Sequence, residues 1–150
     1  KYAAGLTLKP ENYKGFKAQF EKVVEKTIDP KMLIPEISID SQISLSDITP
    51  KLYRILSQFA PFGPGNMTPV FMSGDLKDTG YGKQVGEDKT HLRFTATQHG
   101  KGKIVGIGFG LGEHIELIKN NKLFKAAYCI DENEWNGNVS LQLKLKDIKP

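Results

Sequence analysis

The chain has 150 residues, 39% of them apolar and 25% charged, with a formal net charge of +4; the apolar and charged shares lie well away from the disordered and membrane classes and fit a globular protein. No apolar run approaches the roughly 20 residues of a spanning helix, and the single cysteine, Cys129, excludes an internal disulfide framework and suits a reducing compartment such as the cytoplasm. Basic residues exceed acids seven to four over residues 1–34, fall short two to three over 35–62, and exceed again twelve to ten over 63–150, a balance that permits a nucleic-acid partner without requiring one.

The chain opens on Lys1, with neither a Met nor a charged and apolar leader pattern, and reads as a piece of a longer protein. Pro10 opens a helix that ends near Asp29-Pro30, with Tyr13, Phe16, Phe20, Val23 and Val24 at helical spacing. From Leu33 to Leu45 apolar residues recur at odd positions, which predicts one or two short strands. Thr49 caps a second helix with Pro50 just inside, and Leu52, Ile55, Leu56 and Phe59 form its stripe.

Residues 59–71 then pack three prolines and two glycines among aromatic residues. A flexible linker would be polar, rich in Gly and Ser. Phe59, Phe62 and Phe71 instead predict a rigid joint anchored on both sides.

Strands follow. Val70–Thr79 is the first, with Gly74 marking a bulge or bend. Thr90–Gln98 is the second, with Leu92, Phe94 and Ala96 on one face and His91, Arg93, Thr95 and Thr97 on the other. Lys103–Gly110 is the third, with Val105, Ile107 and Phe109 on one face and Gly106, Gly108 and Gly110 on the opposite one. A short helix is expected over Leu111–Asn120, then a fourth strand over Leu123–Ile130 and a turn over 131–138 carrying Asn-Gly. In the fifth strand, Val139, Leu141, Leu143 and Leu145 are expected to point in, and Ser140, Gln142, Lys144 and Lys146 out.

Three strands, a short helix and two strands is the element order of the OB-fold, a five-stranded barrel that commonly binds oligonucleotides or oligosaccharides. An SH3-like barrel or a split sandwich shares the strand count, but neither usually places a helix between the third and fourth strands. The expected class is α+β, mainly β: an OB barrel over 70–150, preceded by two helices and one or two short strands, with residues 1–34 finishing an upstream domain and 35–69 bridging.

Catalytic chemistry is hard to find in these residues. His91, His99 and His114 are scattered, Cys129 lacks a partner at zinc-ligand spacing, and Glu113-His114-Ile115-Glu116 lacks the second histidine of a zincin helix. Asp131, Glu132 and Glu134 read as a solvated turn rather than paired catalytic carboxylates. The glycines at 106, 108 and 110 lack the helix start and Lys-Ser/Thr of a phosphate loop; they either let a neighbour pack closely or offer bare backbone on an outer face.

Binding chemistry is better represented. A single strand needs cations for its phosphates and ring faces for its bases. The loop between the first two barrel strands brings Tyr81, Lys83 and Lys89, the second strand Arg93, the fourth-to-fifth connection Trp135, and the fifth strand Lys144 and Lys146. The competing reading has Trp135 plugging a barrel end and the lysines solubilising the sheet.

Several stretches resemble the C-terminal part of the RecJ family of bacterial single-strand-specific DNA exonucleases, across nearly the whole chain. They are Tyr2-Ala3-Ala4-Gly5-Leu6-Thr7-Leu8, Asp40 and Ile43 leading into Leu45-Ser46-Asp47-Ile48, Pro61-Phe62-Gly63-Pro64-Gly65-Asn66 with Pro69 and Phe71, and the closing Asp131-to-Gly137 segment with its alternating strand. The resemblance implies that Ala3, Ala4 and Gly5 are the remnant of a substrate-contacting motif in the DHH-associated domain, whose Gly-Gly-His is absent here. It also implies a bacterial cytoplasmic parent that degrades single-stranded DNA from the 5′ end in repair and recombination. Its manganese- or magnesium-binding catalytic core would lie upstream. Implied partners are single-stranded DNA, that nuclease core and single-strand-binding protein; the alternative to DNA binding is a scaffolding module that docks such a partner.

Overall fold

The computed structural model describes residues 4–150, so the motif remnant is seen only at Ala4 and Gly5, and Ala3 lies outside the described residues. The chain divides into two compact units, the first ending at Glu36 and the second running Ile37–Pro150. Residues 37–69, expected to bridge, thus form one unit with the barrel.

In the first unit a single 3-10 turn at Pro10–Asn12 leads into helix α1 (Tyr13–Thr27), and a second turn at Pro30–Leu33 follows, its start capped by Asp29 accepting from the Lys31 N–H at 3.0 Å. Tyr13, Phe16, Phe20 and Val23 form the anticipated stripe, yet no residue of α1 is buried.

The second unit opens with β1 (Ser41–Gln42), far shorter than the strands expected over 33–45: Leu33 belongs to the 3-10 turn, residues 34–40 are irregular and Leu45 starts a further 3-10 turn. Helix α2 (Pro50–Ser57) starts as predicted, with Thr49 Oγ1 accepting from the Leu52 N–H at 3.1 Å. Its stripe is only partly covered: Leu52 and Leu56 pack against the core while Ile55 and Phe59 are exposed. The joint that follows is held by Asn66, whose Nδ2 donates to the carbonyls of Phe59 (2.8 Å) and Pro61 (3.0 Å), and by backbone bonds pairing Gly63 with Asn66. Phe71 is buried beneath it, Phe62 is half-buried, and Phe59 anchors nothing.

The remaining strands are β2 (Phe71–Asp78), β3 (Lys83–Val85), β4 (His91–Gln98), β5 (Lys101–Gly108), β6 (Phe124–Trp135) and β7 (Asn138–Lys149), with the four-residue helix α3 (Ile115–Ile118) between β5 and β6. The sheet runs β1-β2-β6-β7-β5-β4-β3, and a further pairing of β2 with β4 closes it. Barrel order is therefore β2-β4-β5-β7-β6, with β5 and β7 parallel, the OB arrangement with its helix in the expected connection. Leu76, Leu92, Phe94, Phe124, Tyr128 and Leu143 fill the interior.

Gly74 does mark an irregularity: the β2–β6 register shifts between Ser73 and Leu76, and Asp75 has φ 53°. The Gln98 side chain spans this bulge, its Oε1 accepting from Ser44 Oγ (2.7 Å) and the Leu45 N–H (2.9 Å) and its Nε2 donating to the Gly74 carbonyl (2.8 Å).

Four local readings need correction. The helix expected over 111–120 is a 3-10 turn at Gly112–His114 followed by α3, because Asn120 and Asn121 adopt positive φ and end it early. Residues 131–135 are strand rather than turn: β6 pairs with β7 up to Trp135↔Asn138, and only Asn136 (φ 50°) and Gly137 (φ 77°) make the reversal, the two-residue geometry that Asn-Gly favours. Val139 is consequently exposed near the ribbon's tip rather than turned inward. Finally, Gly106 and Gly108 are buried and face the core, leaving Val105 and Ile107 on the outer face. The cause is Phe94, directly opposite Gly106: a Cβ there would lie 2.7 Å from the ring's Cζ.

Candidate nucleic-acid interface

Because residues paired across neighbouring strands share a face, the register fixes which predicted side chains meet. Lys83 pairs with Arg93, Arg93 with Ile107, Ile107 with Lys144, and Lys144 with Cys129. One row thus crosses the outer face, with Lys83, Arg93 and Lys144 exposed around a half-buried Ile107. At the usual strand spacing the three cations span about 14 Å. None of them has an acidic side chain within ion-pair distance among the described residues.

Local hydrogen bonds place the row's outer edge. Asp78, ending β2, accepts the N–H groups of Gly80 (2.9 Å) and Gly82 (2.8 Å) through Oδ2 and that of Thr95 (3.1 Å) through Oδ1. This folds residues 79–82 against β4 so that β3 pairs alongside it. Tyr81, next to this turn and close to Lys83, is exposed.

Phe109 is a ring the sequence reading did not count as a ligand contact. It is exposed on the outer face, one alternation beyond Ile107, and its ring stands edge-on to His91 with centroids 5.1 Å apart. His91 Nδ1 accepts from the Gly110 N–H at 3.1 Å, so the neutral imidazole carries its proton on Nε2. Lys103, also exposed, lies two residues before Val105 on the same strand. The signal for both was parity: once Gly106 is recognised as the small partner of Phe94, residues 103, 105, 107 and 109 must face out.

The other predicted residues are dispersed. Lys146 is exposed on β7 where the register slips between Ala127 and Tyr128, leaving it without a cross-strand partner. Lys89, with φ 54°, is exposed in the β3–β4 turn beside Glu87 and Asp88. Trp135 is exposed at the tip of the β6–β7 ribbon, opposite Asn138. That is six residues along β7 from Lys144, or about 20 Å, toward the same end of the strands as Tyr81, which lies level with Thr95, Val105 and Gln142.

Behind the row, α2 and the joint overhang β6 and β7 and leave a groove of about 260 Å³. Burial raises the Cys129 thiol pKa, an effect opposed by Lys146 and Lys144 and reinforced by Asp131 and Asp40. Tyr53 is also raised, chiefly by desolvation and then by Glu132 and Asp131.

Among the described residues no three His, Cys, Asp or Glu side chains gather to hold a metal ion, and no helix is long and apolar enough to cross a membrane. The metal that the resemblance implies has no donor set among the described residues.

The profile of the RecJ OB domain matches residues 39–147. The chain is 30% identical over 149 residues to the single-stranded-DNA-specific exonuclease RecJ of Escherichia coli, covering 99% of this chain and 25% of that protein. It is 27% identical over 147 residues to the RecJ of Bacillus subtilis, covering 97% and 18%. The chain thus spans no more than a quarter of these curated relatives. A crystal structure of RecJ in complex with Mn2+ from Thermus thermophilus aligns with a TM-score of 0.71 at 21% identity, over 97% of this chain and 20% of that one, a likeness of fold. The profile match over most of the chain and the barrel's strand order together make this chain a member of the RecJ OB domain family.

Proposed function

We propose that the barrel is a single-stranded-DNA-binding module of a longer exonuclease that digests DNA from the 5′ end in repair and recombination, its manganese or magnesium chemistry residing in another part of the protein. The observation that carries this reading is the row Lys83–Arg93–Ile107–Lys144 on the face where OB barrels commonly hold their ligands. Three unpaired cations attract successive phosphates and release counterions on binding. Tyr81 and Phe109, exposed beside the row, offer ring faces to bases, each stacked base being worth about 1–3 kcal/mol. Lys89 and Lys146 extend the positive field, and Trp135 reaches only strands long enough to run on to the ribbon tip. The bacterial cytoplasm is the compartment this role requires.

Titration of the chain with a labelled single strand and a labelled duplex, at about 50 and 200 mM salt, tests the reading. A preference for the single strand that weakens steeply with salt is the expected result; no binding at low salt defeats it.

A second reading rests on the ribbon. Beyond the barrel it carries Asp131 and exposed Trp135 on one face and Glu132, Glu134 and exposed Val139 on the other, acidic and apolar surfaces that repel phosphate and suit a basic protein partner. Single-strand-binding protein and the nuclease core are the partners to test, by pull-down with wild type and Trp135→Ala.

A further inference from the structure

The groove behind the cationic row is a built pocket with a chemistry of its own. Its walls are Tyr53 of α2 and Phe62 and Pro69 of the joint, its floor is Cys129, and Lys144 and Lys146 stand on one rim. Lys144 belongs both to this rim and to the row Lys83–Arg93–Ile107–Lys144, and Cys129 is the next residue of that row. The outer face therefore runs directly into the groove. Neither lysine has an acidic partner within ion-pair distance among the described residues, and Asp131 is the only acid lining the groove.

Size narrows the occupant. A volume of about 260 Å³ lies just under the roughly 300–1,000 Å³ of clefts that take drug-sized ligands, so the groove accommodates one flat ring system and little more. Its lining combines aromatic and prolyl surface with hydroxyls from Ser57 and Thr68, a mixture that suits a heteroaromatic ring with polar edges better than an aliphatic side chain. Two ammonium groups at the mouth suit a phosphate attached to that ring.

We propose that this groove receives one unstacked base of the bound single strand, with the adjoining phosphate held between Lys144 and Lys146. The proposal rests on the reading of the outer face as a nucleic-acid binder. The row delivers the backbone to Lys144, and the groove takes the nucleotide that follows, between Tyr53 on one side and Phe62 and Pro69 on the other. Such a pocket fixes the register of the strand on the barrel, which a flat row of cations alone does not.

The test is photocrosslinking of the full chain to a single-stranded oligonucleotide carrying 5-iodouracil, with adducts mapped by mass spectrometry, alongside the rate at which iodoacetamide alkylates Cys129. The expected result is an adduct on Tyr53 or Phe62 and alkylation slowed about tenfold by the oligonucleotide, within the roughly 5- to 150-fold that one stacked base is worth. Lys146→Ala, an exposed site that leaves the fold intact, should remove most of the groove adduct while Arg93→Ala lowers every adduct in proportion to affinity. An oligonucleotide that binds but crosslinks only to Tyr81 or Phe109, with Cys129 alkylated at its free rate, overturns the groove and leaves the face reading standing. Absence of binding at low salt overturns both.

Discussion

Tyr128 Oη lies 2.6 Å from Ser73 Oγ, with both side chains fully buried between β6 and β2. Ser73 Oγ is also 2.7 Å from the Ile43 carbonyl, which can only accept. Ser73 therefore donates to Ile43 and Tyr128 donates to Ser73, one directed chain that ties the segment after β1 to the barrel interior. Replacing Tyr128 by Phe removes one bond and leaves Ser73 partnered, a cost of about 1 kcal/mol; Ser73→Ala strands the Tyr128 hydroxyl and costs about 2–3 kcal/mol. Urea denaturation of the two variants should rank them in that order, and an equal loss would contradict the directed chain.

The same tyrosine makes stability depend on alkaline pH. Burial pushes its pKa from 10.0 up to about 12, with the Ser73 bond opposing and Asp47 adding to the rise. A neutral group favoured by the fold stabilises fully below the unfolded value, and that contribution disappears as pH climbs through the folded one. Stability should accordingly fall between about pH 10 and 12, by roughly 2–3 kcal/mol from this group. Tyr53 is raised as well and pushes the same way. Tyr128→Phe should flatten part of the decline, followed by chemical denaturation at stepped pH; an unchanged slope would count against the shift.

Gly106→Ala should destabilise by about 1–3 kcal/mol through overpacking, since the added methyl would meet Phe94. Combining it with Phe94→Leu should recover part of that loss, whereas a glycine needed for ligand access would lose DNA binding without losing stability. Thermal melts and strand titration on the same samples separate the two outcomes.

Gln98→Ala should cost about 1–3 kcal/mol, because it orphans groups on both sides of the β2 bulge at once. Hydrogen exchange should speed up at residues 44–47 more than in β5. Uniform acceleration across the barrel would mean that Gln98 has no special hold on that segment.

On the outer face, Arg93→Ala and Lys144→Ala should each weaken single-strand binding and reduce the salt slope by about 1. Trp135→Ala should leave the affinity for a strand of about 4 nucleotides unchanged and weaken only one of about 16, the range of OB site sizes. Equal loss at both lengths would show that Trp135 meets the strand near the row.

The five barrel strands, the placement of α3 and the inward set Leu92, Phe94 and Ala96 were legible in the sequence because a half-buried strand writes its burial as a period of two, whereas the three-residue β3 within the expected loop 80–89 was not. Cap chemistry made the starts of α2 and its joint legible for the same local reason. Parity on β5 was not legible: Val105 and Ile107 look like core residues, and only the position of the Phe94 ring shows that glycine must occupy the inner sites. Nor was the length of the β6–β7 ribbon, since Asp131 to Trp135 has the composition of a turn and becomes strand through pairing with residues far along the chain. The candidate site divides the same way. Sequence alone determined that Arg93 and Lys144 are cations on outward positions, a matter of residue type and alternation, and left Lys83 as a cation in a connecting loop that the structure turns into strand β3. That they form one row, lead into a groove and stand about 20 Å from Trp135 was decided by strand register and barrel closure, which are set by long-range pairing that no local period encodes.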